Sequence, residues 1–421
     1  VRVALITHVR SKIGGTESYV EQLGAELSAA GHDAALWHEH RGPAARDMIE
    51  LPAGSPSWSV ESLGLTAALD GLQAWRPNVL FSHGVSTPDV ESSLLRIAPT
   101  AMFVHAYHGS CVSGTKSRLS PVRMPCPRPL GVPCLLHYFP RRCGGWSPVT
   151  MARRYSLETG RRDMLGKYAA ILTASAHMRK EYLKYDIEPD RVHTVGLMIP
   201  QRLAASSVVT SSTSSARPGS PTNLAREWRL LFVARLTALK GGAVLMKALS
   251  HLRRVYEGRI VLTVAGDGPE RADLERRASA WRSSTRNTDV RFVGWLGPAE
   301  LAAAMAATDL LVVPSIWPEP FGLVGPEAGL HSVPAAAFAV GGIPDWLREG
   351  VNGHLAPGDP PTPAGLATAI ARSLGDPAHH ARLRAGALAA ARELSAERHM
   401  PRVLAILERA AGRGTGGGVT A

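Results

Sequence analysis

A chain of 421 residues is long enough to bury two ordinary cores, so two domains are expected. With 45% hydrophobic and 19% charged residues the composition excludes a disordered protein, and no apolar run reaches the roughly 18 residues needed to cross a bilayer. The formal charge of +12 and pI near 9.9 point to acidic partners, but no recognition motif or interleaved aromatic series accompanies the charge, so nucleic acid is not expected.

The opening "VRVALITHV" lacks the parts of a signal peptide and reads as a first strand, so a cytoplasmic location is expected. "TESYVEQLGAELSAAG" follows as a helix with a Thr cap and a Gly stop, and "AALWH", "NVLFSH", "TAMFVH" and "AAILTAS" read as short buried strands. "SAHMRKEYLKY" reads as a helix capped by Ser175, and "RVHTVGLMIP" as a closing strand. Residues 106–149 fit no element well and form an insertion rich in Cys, Pro and Arg. All four cysteines, Cys111, Cys126, Cys134 and Cys143, fall in that insertion, which implies one shared local role. They contain no CxxC pair, so a zinc finger or ribbon is not indicated; four thiolates holding a structural zinc and cysteines simply packing the insertion both remain open. His108 and His137 lie in the same stretch as substitute ligands. From Lys116 to Lys167 eleven Lys and Arg face two acids, Glu158 and Asp163. That run suits an anionic membrane surface or a phosphorylated acceptor, or is a solvated loop.

Residues 204–226 are rich in Ser, Thr and Pro and read as a flexible linker. A second alternating series follows: "WRLLFVA", "GGAVLMKALSHLRRV", "RIVLTVAG", "RADLERRASAW", "VRFVGW", "PAELAAAMAA", "DLLVVP" and "VPAAAFAV". Helical patterns at 364–374 and 377–411 close the chain. The expected organisation is α/β with parallel sheets: an N-terminal domain over 1–203, the linker, a C-terminal domain over 227–390, a helix over 391–411 returning to the N-terminal domain, and a disordered tail over 412–421. A cleft between two such domains is the natural binding site.

Four motifs carry chemistry. Gly14 and Gly15 stand in the turn between the first strand and its helix, where backbone N–H groups can approach an anion, although a plain tight turn would use the same residues. In "FVARLTALKGG", Arg235 and Lys240 follow a strand, and a guanidinium fork with an ammonium can hold a diphosphate and neutralise its charge. "VAGDGP" places Gly266, Asp267 and Gly268 in another strand-to-helix turn. "PSIWPEPFGLVGPEAGL" (314–330) sets Glu319 in a turn after a buried strand and Glu327 on the following helix, where carboxylates can accept hydrogen bonds from hydroxyls on two parts of one ligand. The alternative is that Glu319 balances the helix dipole and Glu327 is a solvated helical residue.

In this order the motifs resemble the retaining GT-B glycosyltransferases of family 4, and the likeness runs from "GGTES" to "GGIPDWLREGVNGHLAPGD". The resemblance implies two Rossmann-like domains with a nucleotide-sugar donor site in the cleft. It implies that Arg235 and Lys240 grip the donor's diphosphate, that Gly14 and Gly15 close over it, and that Glu327 binds the ribose. Glu319 takes the place of the residue contacting the transferred sugar, with backbone amides of Phe321, Gly322 and Leu323; Trp295 and Leu296 stand where the base is read. His105 matches the active-site histidine after a first-domain strand, with His108 as a neighbouring competitor. The implied enzyme is a retaining hexosyltransferase using a nucleoside-diphosphate sugar and a glycan, lipid-linked or small-molecule acceptor, in surface polysaccharide or glycoconjugate synthesis. No cofactor is expected for catalysis, and peripheral association with the inner face of an anionic membrane is expected. The departures are Ala106, where an acid or amide often follows the histidine, Ser332 for a customary Gly, and Pro326 directly before Glu327. Another GT-B enzyme (a phosphorylase, a trehalose-type synthase or an epimerase) and a catalytically dead sugar-nucleotide-binding protein remain as alternatives.

Overall fold

The computed structural model describes residues 1–199 and 227–413 except 13, 44–45, 122, 255, 257 and 283–286; the expected linker and the glycine-rich tail beyond Arg413 lie outside the described residues. The chain forms two compact units. One comprises residues 1–121 and 126–199 with the helix Ala396–Arg413, and the other comprises residues 227–395 with the short segment Arg123–Pro125.

The first unit is built on a parallel sheet of order β3-β2-β1-β4-β5-β8-β9. Its strands are β1 (Arg2–Val9), β2 (Asp33–His40), β3 (Ser57–Ser59), β4 (Val79–Ser82), β5 (Thr100–Val104), β8 (Ala170–Thr173) and β9 (Val192–Thr194). The two-residue strands β6 (Ser117–Arg118) and β7 (Met124–Pro125) belong to the insertion. β4, β5 and β8 are buried along their whole length, as expected of central parallel strands covered on both faces. The closing strand is shorter than its sequence pattern, only Val192–Thr194, because the following residues leave the sheet. Edge strand β3 and the helix Leu65–Trp75 have no clear sequence signal. That helix buries Ala68 and Leu72 beside Trp37, whose indole N–H donates to the Ala68 carbonyl at 3.2 Å.

The second unit has a six-stranded parallel sheet of order β12-β11-β10-β13-β14-β15. The strands are β10 (Glu227–Val233), β11 (Arg259–Ala265), β12 (Thr288–Gly294), β13 (Leu310–Val313), β14 (Ala335–Phe338) and β15 (Gly353–Ala356). The helical pattern over 377–411 is two helices. Pro377–Arg392 belongs to the second unit and packs on the helix Val324–Leu330. Ala396–Arg413 belongs to the first, where it buries Met400, Val403, Ile406, Leu407 and Ala410 at helical spacing. No helix among the described residues is long and apolar enough to cross a membrane.

In each sheet the strand order reverses beside its first strand, at β1/β4 and at β10/β13. Loops leaving the carboxyl ends of such a pair diverge to opposite faces and leave a crevice, the usual ligand position in open α/β sheets. In the second unit the two loops are fastened together. The Ile316 N–H donates to the Leu239 carbonyl at 2.9 Å, and Gly241, at φ +74°, lies so close to Pro314 that a Cβ would stand 1.8 Å from its carbonyl oxygen. Gly241→Ala should therefore cost about 2 kcal/mol or more, from the left-handed backbone and the backbone overlap together, and lower the melting midpoint by about 5 °C. A thermal melt indistinguishable from wild type would contradict this account of the loop junction.

Candidate active site

The second unit gathers its charged groups at the β10/β13 crevice. Lys240 ends a single 3₁₀ turn (Ala238–Lys240) on the loop after β10, and Glu319 stands on the loop after β13. The Lys240 ammonium donates to Glu319 Oε1 at 2.5 Å, and the Ser315 hydroxyl donates to the same oxygen at 2.6 Å. Glu319 is only 6% exposed, and Lys240 Nζ also lies 5.3 Å from the centroid of the Trp317 ring. A buried carboxylate needs such a partner, since removing one member of a buried pair costs about 3–5 kcal/mol. Glu319 Oε2 has no hydrogen bond among the described residues. Glu319 is thus an interior group of the crevice, not a helix-dipole balance on the surface.

Arg235 and Lys240 are not in contact by any interaction seen here; the structure pairs Lys240 with Glu319 and leaves the exposed Arg235 guanidinium without an ion pair among the described residues. Its loop is held firmly. The Leu236 N–H donates to the Asp267 carbonyl at 2.8 Å, and the Glu270 N–H to the Leu236 carbonyl at 3.0 Å. Gly266 is required by this approach, since at φ +129° a Cβ would lie 1.9 Å from the Ala234 carbonyl oxygen. Gly268 sits in the same turn, where Asp267 accepts its N–H at 2.7 Å and pairs with Arg271 at 3.2 Å. The Asp267 carboxylate is therefore occupied within the turn that buttresses Arg235.

The segment after Glu319 is shaped by Trp346, whose indole N–H donates to the Phe321 carbonyl at 2.7 Å and whose ring covers Gly325. Phe321 is buried, Gly322 has φ +89°, and the amides of Phe321, Gly322 and Leu323 donate to no group among the described residues. The helix runs Val324–Leu330 with Leu323 as its N-cap, so Pro326 lies in the first turn, where its missing N–H costs nothing. Glu327 follows and is not a solvated helical residue: burial pushes its carboxyl up to about 7, and it makes no ion pair or side-chain hydrogen bond among the described residues. Ser332 adopts φ +58°, the left-handed region that explains the customary glycine. Trp295 and Leu296 follow β12, and Trp295 is 64% exposed.

In the first unit the equivalent edge carries histidines. His83 follows β4 and His105 follows β5, and His83 Nδ1 meets His105 Nε2 at 2.9 Å. Phe103 stacks on His105 at 4.6 Å between centroids, and Tyr19 meets both imidazoles edge-on while its hydroxyl bonds His399 Nε2 at 2.8 Å. Burial, then the neighbouring imidazole, hold His83 well below the usual range; burial, then His108, lower His105 to about 3. Both rings are neutral at pH 7, so one must donate to the other. His108 is lowered to about 4 and does not share the His83 contact. His83 was not among the sequence candidates, yet "FSH" and "FVH" end two neighbouring strands in the same way. Gly14 caps the helix Gly15–Ala29 at φ −153°, a conformation open to any residue; a Cβ there would meet only the Glu17 carboxylate, at 3.7 Å. Among the described residues of the unit nothing requires glycine at 14. Its amide is taken by Glu17 at 2.8 Å.

Residues 13–199 match the family model described as Glycosyltransferase Family 4, and residues 227–376 that described as Glycosyl transferases group 1. The chain belongs to the family 4 glycosyltransferases. It is 34% identical over 262 residues to a D-inositol 3-phosphate glycosyltransferase of Nocardioides sp., covering 58% of this chain and 54%, about half, of that relative. To a glycogen synthase of Mycobacterium tuberculosis it is 26% identical over 405 residues, covering 87% of this chain and 84% of the other. Its fold is that of Anabaena HepE in a complex with UDP (TM-score 0.61, 17% identity, 99% of this chain and 100% of that one). The sucrose-phosphate synthase of Thermosynechococcus elongatus gives a TM-score of 0.64 at 21% identity, over 98% and 99% of the two chains. Both likenesses show the GT-B fold, two parallel-sheet α/β domains.

In this glycosyltransferase the cysteine insertion is anchored by Lys116, which is 1% exposed and pairs with Glu181 at 3.0 Å while donating to the Ser110 carbonyl at 3.0 Å. Lys116 is therefore an interior strut and not part of a basic surface. The four cysteines are free and half-buried, and among the described residues no group of three or more His, Cys, Asp or Glu is placed to hold a metal ion. Burial, then the neighbouring cysteines, push the Cys143 thiol up to about 11, so it stays protonated at pH 7.

The buried histidines give the first unit a defined acid response. His83, His105, His108 and His399 all have lowered values in the folded state, so their neutral forms are favoured above the unfolded value near 6.5. That stability is lost as pH falls from about 6.5 toward 4, at up to about 1.4 kcal/mol per pH unit for each histidine. Glu91, pushed up to about 7 by burial, acts in the opposite sense but is one group against four. The melting midpoint should fall between pH 7 and 5, and a His83→Gln/His105→Gln double variant should show a shallower slope. An unchanged slope in that variant would refute the assignment.

Proposed function

We propose that this glycosyltransferase moves a hexose, with retention of configuration, from a nucleoside-diphosphate sugar to a hydroxyl of a glycan, lipid-linked or small-molecule acceptor. The observation that carries the reading is the Lys240–Glu319 pair at the β10/β13 crevice, with Arg235 on the loop after β10 and Glu327 on the helix after β13, neither in an ion pair among the described residues. Structures of HepE with UDP and with UDP-glucose support a nucleotide-sugar donor. In this reading Arg235 and Lys240 take the diphosphate and stabilise the charge that develops as it leaves, which is the dominant form of electrostatic catalysis. Glu319 Oε2 and the free amides of Phe321, Gly322 and Leu323 face hydroxyls of the sugar, and Glu327 accepts hydrogen bonds from the ribose diol.

Retention is taken from the family resemblance, and the engagement of Glu319 bears only on the path to it. Its carboxylate is tied to an ammonium and a hydroxyl through one oxygen, which makes it a poor nucleophile for a covalent glycosyl intermediate. The proposed path is a front-face displacement: the acceptor oxygen bonds to the anomeric carbon as the diphosphate leaves on the same face and takes the acceptor proton. His105, neutral and hydrogen-bonded to His83, is assigned to orient the reacting sugar by a neutral contact, because a ring lowered to about 3 is a poor acid reservoir at pH 7.

Donors should first be ranked by thermal shift over UDP-, ADP- and GDP-hexoses, and turnover then followed as nucleoside diphosphate released only when acceptor is present. Lys240→Ala should lower kcat by about a hundredfold or more; near-normal turnover would remove Lys240 from the site. Release without acceptor, or a product anomer opposite to the donor's, would overturn the reaction assigned here.

Glu327 gives a separate readout. Because its carboxyl sits near 7, the ionised acceptor form is lost as pH falls below that value, and the donor KM should rise between pH 7.5 and 6 while kcat changes little. Glu327→Gln should raise the donor KM by about tenfold and abolish that pH dependence. A donor KM that still titrates near 7 in the variant would place the titrating group elsewhere.

A further inference from the structure

The insertion between β5 and β8 has an outer face that the donor chemistry leaves unexplained. The helices Pro133–His137 and Pro148–Met164 lean on one small buried cluster, Val112, Leu130 and Tyr138, with Phe139, Met151 and Tyr155 packed against it. From the same two segments Val132, Leu136, Trp146 and Val149 project into solvent, each 67–73% exposed. Among the described residues the only other large apolar side chain more than 60% exposed is Trp295, beyond β12. Trp146 is also held in place. Its ring lies nearly parallel to Phe139 (13°, 6.3 Å), and the Arg142 guanidinium sits 5.5 Å from its centroid.

Charge along the insertion is one-sided. No Asp or Glu occurs between Glu91 and Glu158. Arg128, Arg142, Arg153 and Arg154 are exposed and in no ion pair among the described residues, whereas Lys116 is buried and Arg161 is paired with Glu158. The basic run in the sequence is thereby sorted into interior struts and a surface set of arginines, of which Arg142 lies against Trp146, in the insertion that also exposes the four apolar side chains. Leaving those side chains in water is unfavourable. An indole and aliphatic groups next to uncompensated arginines match a bilayer's own layering, with the acyl boundary taking the apolar groups and the headgroup phosphates the guanidinium groups.

We propose that this face docks the glycosyltransferase on an anionic lipid bilayer, with Val132, Leu136, Trp146 and Val149 entering the acyl boundary and Arg128, Arg142, Arg153 and Arg154 on the lipid phosphates. The assignment does not depend on the donor or the reaction. It differs from attraction of a merely basic segment because the apolar residues make part of the binding insensitive to salt.

The full chain should be sedimented with phosphatidylcholine vesicles containing about a third phosphatidylglycerol, and with phosphatidylcholine alone, at low salt and at about 0.5 M salt. Retention by the anionic vesicles, reduced but not abolished by salt, is expected. Arg153→Gln/Arg154→Gln should weaken partition about fivefold per arginine. Leu136→Ser/Trp146→Ser should remove the salt-resistant part while melting like wild type, since both side chains are exposed. Quenching of tryptophan fluorescence by brominated lipid should be lost in Trp146→Ser. The proposal is overturned if wild type stays in the supernatant, if both double variants partition like wild type, or if quenching is unchanged in Trp146→Ser. It is equally overturned if the face instead joins two copies of the chain, seen as a vesicle-free dimer that Leu136→Ser/Trp146→Ser converts to monomer.

Discussion

The ion pair between Lys240 and Glu319 is the interaction around which the second unit's crevice is arranged. The two residues are 79 positions apart, and they meet because β10 and β13 are neighbours at the point where the strand order reverses. A carboxylate buried to this degree is tolerable only with its ammonium, so the loops that carry them must be held in register. Gly241 against Pro314, Ile316 on Leu239 and the Gly266–Gly268 turn under Arg235 all serve that registration. Among the described residues the pair leaves one Glu319 oxygen, the Arg235 guanidinium and the raised Glu327 carboxyl without side-chain partners. These are the groups to which a polar, anionic ligand would be complementary.

The first unit solves a different problem with the same topology. Its crevice strands end in His83 and His105, two imidazoles kept neutral by burial first, then by His105 acting on His83 and His108 acting on His105. Tyr19 spans from this pair to His399 on the helix Ala396–Arg413, so the last described helix of the chain is tied to the residues at the sheet's edge. Acid sensitivity and site geometry thus share the same four or five side chains. The cysteine insertion is fastened separately, through Lys116 and Glu181, and its outer face is free to meet something other than the sugar chemistry.

Much of the fold was legible because its signals are local. Continuous apolar runs such as "TAMFV" and "LLVV" mark buried parallel strands, and Ser175 caps a helix where the periodicity begins. The failures were local as well. β3 is three residues long and only half-buried, too short to show a period, and the helical pattern over 377–411 shows no break, so the boundary set at 391 falls a few residues before the break at 393–395 between Pro377–Arg392 and Ala396–Arg413. In the site, the chemistry of Arg235, Lys240, Glu319 and Glu327 was visible as residue type at a strand end. The Lys240–Glu319 contact was not, since it joins residues 79 positions apart on loops after two different strands.

The sequence alone determined the alternation of strands and helices, the glycine and proline punctuation and the family likeness, because each depends on residues within a few positions of one another. Tertiary structure decided which charges are buried, which histidine meets which, and which members of the basic run face solvent. Those outcomes depend on strand order and on the solvent each group loses, and neither is written in any short stretch of chain.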